Sequence, residues 1–200
     1  YPNGPIATRN GGMFWDFKNT APAGHDGTPS TWDNVTATPS VSSGRLTTGD
    51  SSAKREFNGP ISGFGTEEEN GSFTDGRVNQ VLFLRASFTT GATLPSFVGL
   101  STYDFGAEGV FFGKRAFQSV FGIETFTGFG AVNSTFNVLP GTTYTLVAKV
   151  DYASNLLSLY VNPDFNASEP TPQATIPNYT ATNFTTAVRL ASGIGDNVTW

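Results

Sequence analysis

Cysteine is absent from this sequence and charge is scarce. Asp, Glu, Lys and Arg make up 14% of the 200 residues, against about 25% in ordinary globular proteins. The first absence removes disulfide scaffolds, thiolate-held zinc and thiol nucleophiles together. It does not point to the cytosol, because exported bacterial proteins also avoid cysteine. The second absence leaves solubility to hydroxyls and amides: 44 residues are Ser or Thr and 15 are Asn. Histidine occurs once, at His25 beside Asp26. One imidazole cannot furnish a zinc site, and no Gly-x-Ser-x-Gly elbow exists for a triad. His25 therefore reads as a loop residue. No apolar run approaches the length of a membrane span. Eleven Lys and Arg are scattered in a chain of net charge −5, so no patch can neutralise phosphates and no nucleic-acid partner is expected. A charged-then-apolar leader is also missing. The abrupt opening at Tyr1-Pro2-Asn3-Gly4 is read as the start left after signal removal, which implies a secreted or cell-surface location.

What is present favours strands. Phe is the dominant large apolar residue, with 18 copies against one Met, and aromatic and β-branched side chains suit a pleated, half-buried surface. Gly and Pro, 23 and 12 in number, cluster in turns such as Asn10-Gly11-Gly12 and Ala21-Pro22-Ala23-Gly24, which forbid long helices. Between such turns the chain predicts extended segments at Met13–Phe17, Val35–Val41, Arg45–Thr48, Val78–Thr89, Phe97–Tyr103, Gly109–Lys114, Ala116–Ile123, Phe184–Ala191 and Val198–Trp200. The clearest hairpin spans Thr142–Val161. There Tyr144, Leu146, Ala148, Val150 and Tyr152 alternate with Thr145, Val147, Lys149 and Asp151 before a turn at Ala153-Ser154-Asn155, a period of two. Pro163 stops the returning strand, and the Pro-rich stretch to Pro177 cannot lie centrally in a sheet. Short strands at this spacing predict a sandwich or barrel, with no solenoid repeat. The expected fold is all-β: an antiparallel, two-sheet jelly-roll sandwich occupying residues 1–200 as a single domain.

The block Pro140-Gly141-Thr142-Thr143-Tyr144-Thr145-Leu146-Val147-Ala148-Lys149-Val150-Asp151, with Asn155–Pro163 after it, resembles the hairpin of laminin-G/concanavalin A-like sandwiches. More narrowly it resembles those of exported proteins from environmental bacteria that carry a C-terminal sorting tail. Tyr1–Ile6, Asn10-Gly11-Gly12 and Arg189–Gly193 fit the same group, whereas 51–76 carries no such likeness. In that group a Val-Thr-Trp piece continues into a last strand pairing near the first. Here Trp200 is the final residue, so the resemblance implies an edge for another subunit to complete by strand addition.

Catalytic candidates are few. Concanavalin-like glycosidases use alternating acids on one strand, and retaining chemistry needs carboxyls about 5–5.5 Å apart. The one acidic cluster, Glu67-Glu68-Glu69, runs into the turn Asn70-Gly71, so consecutive acids point to opposite faces. It reads as a solvated turn, and no catalytic residue is assigned. No cofactor is expected either. Calcium is harder to dismiss, because oxygen ligands can come from loops and Asp16, Asp26, Asp33, Asp75, Asp104 and Asp196 lie near turns. No Asp-x-Asp-x-Asp loop organises them, so no metal ligand is assigned. Trp15, Trp32, Tyr103, Phe105 and Tyr179 lie in or beside loops, and Trp32, between Thr31 and Asp33, is the best candidate for stacking on a sugar. Seven Asn-x-Ser/Thr sequons, at Asn34, Asn70, Asn133, Asn166, Asn178, Asn183 and Asn197, are roughly twice the number composition alone gives. They mark candidate glycan attachment sites on the surface.

Taken together the sequence favours a non-enzymatic, extracellular structural protein. It would be a subunit of a surface or fibre-like assembly whose partners are copies of itself. Tyr1, Pro2, Asn3, Gly4, Pro5, Ile6 and Ala7 would form the subunit-contact strand. The alternative is a lectin-like module that binds polysaccharide through loop aromatics.

Overall fold

The period-two pattern of residues 142–161 becomes a hairpin whose apolar members line the interior. A computed structural model describes residues 34–36, 40–42, 45–56, 81–104, 107–180 and 187–200. Their strands are β1 (Asn34–Thr36), β2 (Ser40–Ser42), β3 (Arg45–Thr48), β4 (Ser51–Glu56), β5 (Val81–Thr89), β6 (Val98–Asp104) and β7 (Ala107–Lys114). They continue as β8 (Val120–Thr125), β9 (Ala131–Asn137), β10 (Thr143–Asp151), β11 (Leu156–Val161), β12 (Ala174–Pro177), β13 (Ala187–Ser192) and β14 (Val198–Thr199). Among these residues there is no helix, hence none long and apolar enough to cross a membrane.

Two antiparallel seven-stranded sheets result. Sheet A has the order β1-β4-β13-β6-β7-β8-β9, and sheet B the order β12-β11-β10-β5-β14-β3-β2. Every paired neighbour is antiparallel. Side chains alternate across each sheet, and the inward sets meet in one core. Leu46, Leu82, Phe88, Leu146, Leu157 and Leu159 come from sheet B; Val98, Leu100, Val110, Phe112, Phe121 and Ile123 come from sheet A. The abundance of aromatics is explained at one end of this core. Phe88 stands 5.1 Å from Trp200 and 5.9 Å from Tyr144. Phe121 meets Tyr144 edge-on at 4.9 Å, and Phe136 closes the cluster.

Strand Arg45–Thr48 falls where the sequence places it, and others differ by a few residues at their described ends, while Met13–Phe17 and positions 78–80 and 184–186 lie outside the described residues. Three differences have physical causes. Val35–Val41 divides into β1 and β2, which belong to opposite sheets, so the chain passes between layers where one extended run was expected. Strand β8 begins at Val120 because Arg115–Ser119 form a turn, with Phe117 at φ 61° and 97% exposed. Strands β4 and β9 were not foreseen, being rich in Ser, Asn, Thr and charge. The Pro-rich stretch contributes only β12, at the edge of sheet B, where a missing donor is tolerated.

That same stretch closes the outer face of sheet B. Phe165 packs with Phe83, Val147 and Tyr160, and the Arg85 guanidinium lies 4.0 Å from the Phe165 ring centre. Glu169 accepts hydrogen bonds from the Tyr160 hydroxyl and from Lys149 Nζ, the latter at 3.0 Å. Sheet A carries polar clusters on its outer face instead.

Candidate functional site

Along β6, Val98, Leu100 and Thr102 face the core, so Gly99, Ser101 and Tyr103 face outward. The same reasoning puts Phe111 and Gly113 of β7, Gly122 and Glu124 of β8, and Arg189 of β13 on that outer face. Register aligns them into rows across the strands. One row runs Arg189, Ser101, Phe111, Glu124, and the next runs Ala191, Gly99, Gly113, Gly122, Asn133. The glycines let large side chains lie flat on the sheet. A Cβ on Gly99 would sit 2.7 Å from Phe111 Cζ, and one on Gly122 would be 3.2 Å from Arg115 Cδ.

Strand β7 contains an irregularity that matters for the chemistry. Thr102 pairs with Val110, but Tyr103 pairs with Glu108, so Gly109 is an extra residue in a β-bulge. Counted by strict alternation from Val110 and Phe112, Glu108 would point into the core. The inserted residue turns it to the outer face, a recurrent use of bulges. There Glu108 Oε1 accepts hydrogen bonds from Ser101 Oγ at 2.5 Å and from Arg189 Nη2. Arg189 Nη2 also donates to Ser101 Oγ at 3.2 Å, and the guanidinium lies 5.2 Å from the Tyr103 ring centre. Arg189 and Glu108 are each 20% exposed, so the pair is reachable without being loosely solvated. Arg189 Nε is buried and has no hydrogen-bond partner among the described residues. Burial raises the Tyr103 hydroxyl above its ordinary pKa of 10.0, with Arg189 pulling against the rise and Glu108 adding to it.

A second cluster occupies the β8–β9 side. Arg115 Nε donates to Glu124 Oε2 at 3.3 Å and Arg115 Nη1 to Asn133 Oδ1 at 2.8 Å, while Asn133 Nδ2 donates to Gln118 Oε1 at 2.9 Å. Between the clusters, Phe111 is almost fully buried and meets Phe97 edge-on at 6.1 Å. The face thus carries two charge-paired, hydrogen-bonding groups on either side of the buried Phe111. It has planar amide, carboxylate and guanidinium edges suited to hydroxyl-rich ligands.

Of the residues singled out from sequence, Tyr103 falls within this face. Tyr179 is buried in the core and meets Phe129 edge-on at 5.2 Å, so it is no stacking platform. Trp15, Trp32, Phe105, His25, Glu67, Glu68, Glu69, Asp16, Asp26, Asp33 and Asp75 lie outside the described residues, as do Tyr1–Ala7, Asn70 and Asn183. Asn34 is described only as part of β1. Asn133, Asn166, Asn178 and Asn197 are exposed, although the Asn133 amide is engaged in the second cluster. Asp196 Oδ2 accepts the Thr93 amide hydrogen at 2.6 Å. Among the described residues no three acidic or imidazole groups gather around a common point. Sequence reasoning missed Arg189, Glu108 and Ser101 because they belong to three strands and meet only through register and a bulge.

No protein-family model matches the chain, and no curated protein matches it. Among solved structures it is similar to the CBM2 module of an evolved Dit protein from Lactobacillus casei BL23 phage J-1. That match has 14% identity and a TM-score of 0.50, covering 82% of this chain and 76% of that one. A sialidase matches at 14% identity and TM-score 0.45 over 82% of this chain and 12% of its own. A family 7 alginate lyase matches at 11% and 0.43 over 80% and 79%. At such identities the likeness concerns fold alone: this chain folds as an all-β, two-sheet sandwich of the jelly-roll kind.

Proposed function

We propose that the chain is a non-enzymatic, lectin-like carbohydrate-binding module of an extracellular protein, and that sheet A's outer face is its binding surface. The observation that carries this reading is the bulge at Gly109, which brings Glu108 out beside Ser101, Arg189 and Tyr103. A carboxylate and a guanidinium fixed by mutual hydrogen bonds offer an acceptor and donors in one plane, the pattern that adjacent sugar hydroxyls match. The buried Arg189 Nε, which has no partner among the described residues, represents roughly 1–3 kcal/mol of unmet hydrogen bonding. The test is a glycan array with the 200-residue chain, alongside Arg189→Ala and Trp32→Ala. Binding that is lost with Arg189→Ala and kept with Trp32→Ala supports the face. No saccharide bound at millimolar concentration sinks the reading, and loss confined to Trp32→Ala moves the site to the loops.

A second reading, a subunit of a surface or fibre-like assembly, is favoured by strand β5. It pairs with β10 along all nine residues, but on its other side only Thr89 is paired, with Thr199, among the described residues. In this version Tyr1–Ala7 of one copy adds a strand to its neighbour, and the chain belongs with the exported, sorting-tail sandwiches as a single domain over 1–200. Deleting Tyr1–Ala7 should then leave monomers in sedimentation velocity; persisting assemblies rule it out.

A further inference from the structure

Resting on the carbohydrate reading, we infer that the ligand is an uncharged, linear polysaccharide laid across the strands of sheet A and held by both clusters at once. Three observations converge on this. First, each guanidinium described on this face is already neutralised by a carboxylate: Arg189 by Glu108 and Arg115 by Glu124. An acidic sugar would have to displace an internal carboxylate that is covalently held in place, whereas a neutral hydroxyl adds to the remaining donors and acceptors. Second, the other cations whose side chains are described, Arg45, Arg85, Lys114 and Lys149, lie away from the two clusters. Lys114 Nζ donates to the Ser96 carbonyl at 2.8 Å, and Arg85 and Lys149 belong to the outer face of sheet B. Lys54 of β4 stands in register with Arg189, and the experiment tests that position. Third, the clusters are set apart in the direction across the strands. From Ser101 on β6, where the first cluster meets, to Glu124 on β8 and Asn133 on β9 there are two to three strand intervals, or roughly 10–14 Å at the usual strand spacing. A monosaccharide cannot reach both. A chain of several units reaching from one cluster to the other can, and its second contact then forms at the high effective concentration of a tethered ligand.

The experiment uses the full 200-residue chain and isothermal calorimetry against neutral gluco-, manno- and xylo-oligosaccharides, with oligouronates and sialyl-oligosaccharides as the acidic arm. The neutral series runs from disaccharide to about octasaccharide, and affinity is expected to climb at least tenfold and then level off once both clusters are spanned. Raising salt should leave it unchanged, since no counterions are released or screened charges used. Arg189→Lys, which keeps the charge but loses the planar fork, and Glu124→Gln should each cost the longer oligosaccharides about tenfold. Glu124→Gln should spare ligands too short to leave the Arg189 cluster. Circular dichroism confirms that each variant folds. Tighter binding of the acidic arm, falling with salt and with Lys54→Ala, overturns the neutral ligand while leaving the carbohydrate reading intact. Affinity independent of length overturns the two-cluster arrangement. Silence in both arms removes the carbohydrate reading itself.

Discussion

Trp200 offers the sharpest test of how the sandwich is closed. Its indole lies 5.1 Å from the Phe88 ring and is 8% exposed, and its backbone N–H donates to the Leu46 carbonyl at 2.7 Å. The indole Nε1 donates to Thr48 Oγ1 at 2.8 Å, and Thr48 Oγ1 in turn bonds Ser192 Oγ at 2.7 Å, both hydroxyls being buried. One side chain therefore ties β3 to the end of β13 and roofs the aromatic cluster. Trp200→Ala removes the packing and the donor together and should cost about 3–5 kcal/mol, a large part of a typical total of about 5–15 kcal/mol. Trp200→Phe keeps one aromatic ring but loses Nε1–H and part of the buried indole volume, while Thr48 retains Ser192 as a partner. That change should cost about 1–2 kcal/mol. At about 2–4 °C per kcal/mol for a chain this long, the Ala variant melts about 6–20 °C lower and the Phe variant only a few degrees lower. Urea unfolding followed by far-ultraviolet dichroism, with m-values checked for equality, measures both. Equal losses in the two variants would mean that the hydrogen bond, not packing, anchors this residue. A Trp200→Ala cost below about 1 kcal/mol would refute its placement in the core.

Other elements yield further expectations. Gly99→Ala should destabilise by about 1–3 kcal/mol, because the new methyl would collide with the Phe112 carbonyl oxygen and stand 2.9 Å from Gly113 Cα; an unchanged melting temperature contradicts that approach of β6 to β7. Burial holds the Lys114 ammonium below its ordinary pKa of 10.5. In the window below 10.5 the unfolded chain therefore binds more protons than the folded one, so stability should rise with pH there. Lys114→Met should flatten that rise in melting scans just below pH 10.5. Tyr103, with its pKa raised above 10.0, acts oppositely: the contribution it makes below pH 10.0 is lost as pH climbs past that value. Tyr103→Phe isolates the two effects. Glu169→Ala should cost only about 0.2–1 kcal/mol, as expected for a largely solvent-facing tie, yet it releases both Lys149 and Tyr160. Faster proteolytic cleavage within 162–173 at nearly unchanged global stability is the expected signature.

The β10–β11 hairpin was legible because its alternation is long, apolar on one side and bounded by Gly141 and Asn155, the latter at φ 52°. Strand β9 was not, although Val132, Ser134 and Phe136 alternate inward, because Ser134 is polar and Val132 and Phe136 are only half-buried. Strand β4 carries almost no apolar signal in Ser-Ser-Ala-Lys-Arg-Glu and is fixed by neighbours on both sides, β1 and β13. The binding face was hidden for a related reason. Local patterning reports which residues turn inward, whereas Arg189, Ser101 and Glu108 come together through register between strands far apart in sequence.

One signal was nevertheless available. In a chain with only 14% charged residues, a lone charge set among apolar strand residues, as in Ala-Val-Arg-Leu-Ala or Gly-Ile-Glu-Thr-Phe, is conspicuous. On an outward position such a residue is solvated at no cost and needs no opposite number; here each has one across the sheet. Glu108 goes further. Strict alternation would bury it, and the chain spends an irregular residue, Gly109, to turn it outward beside Arg189. If this pairing served stability alone, a hydrophobic residue at 108 with no bulge would do better, since burying an ion pair gains little over apolar packing. Deleting Gly109 puts that to the test: it should swing Glu108 toward the core and abolish any ligand binding at this face, and Glu108→Leu in the same deletion should restore stability without restoring binding. Recovery of both together would assign the bulge to folding and not to recognition.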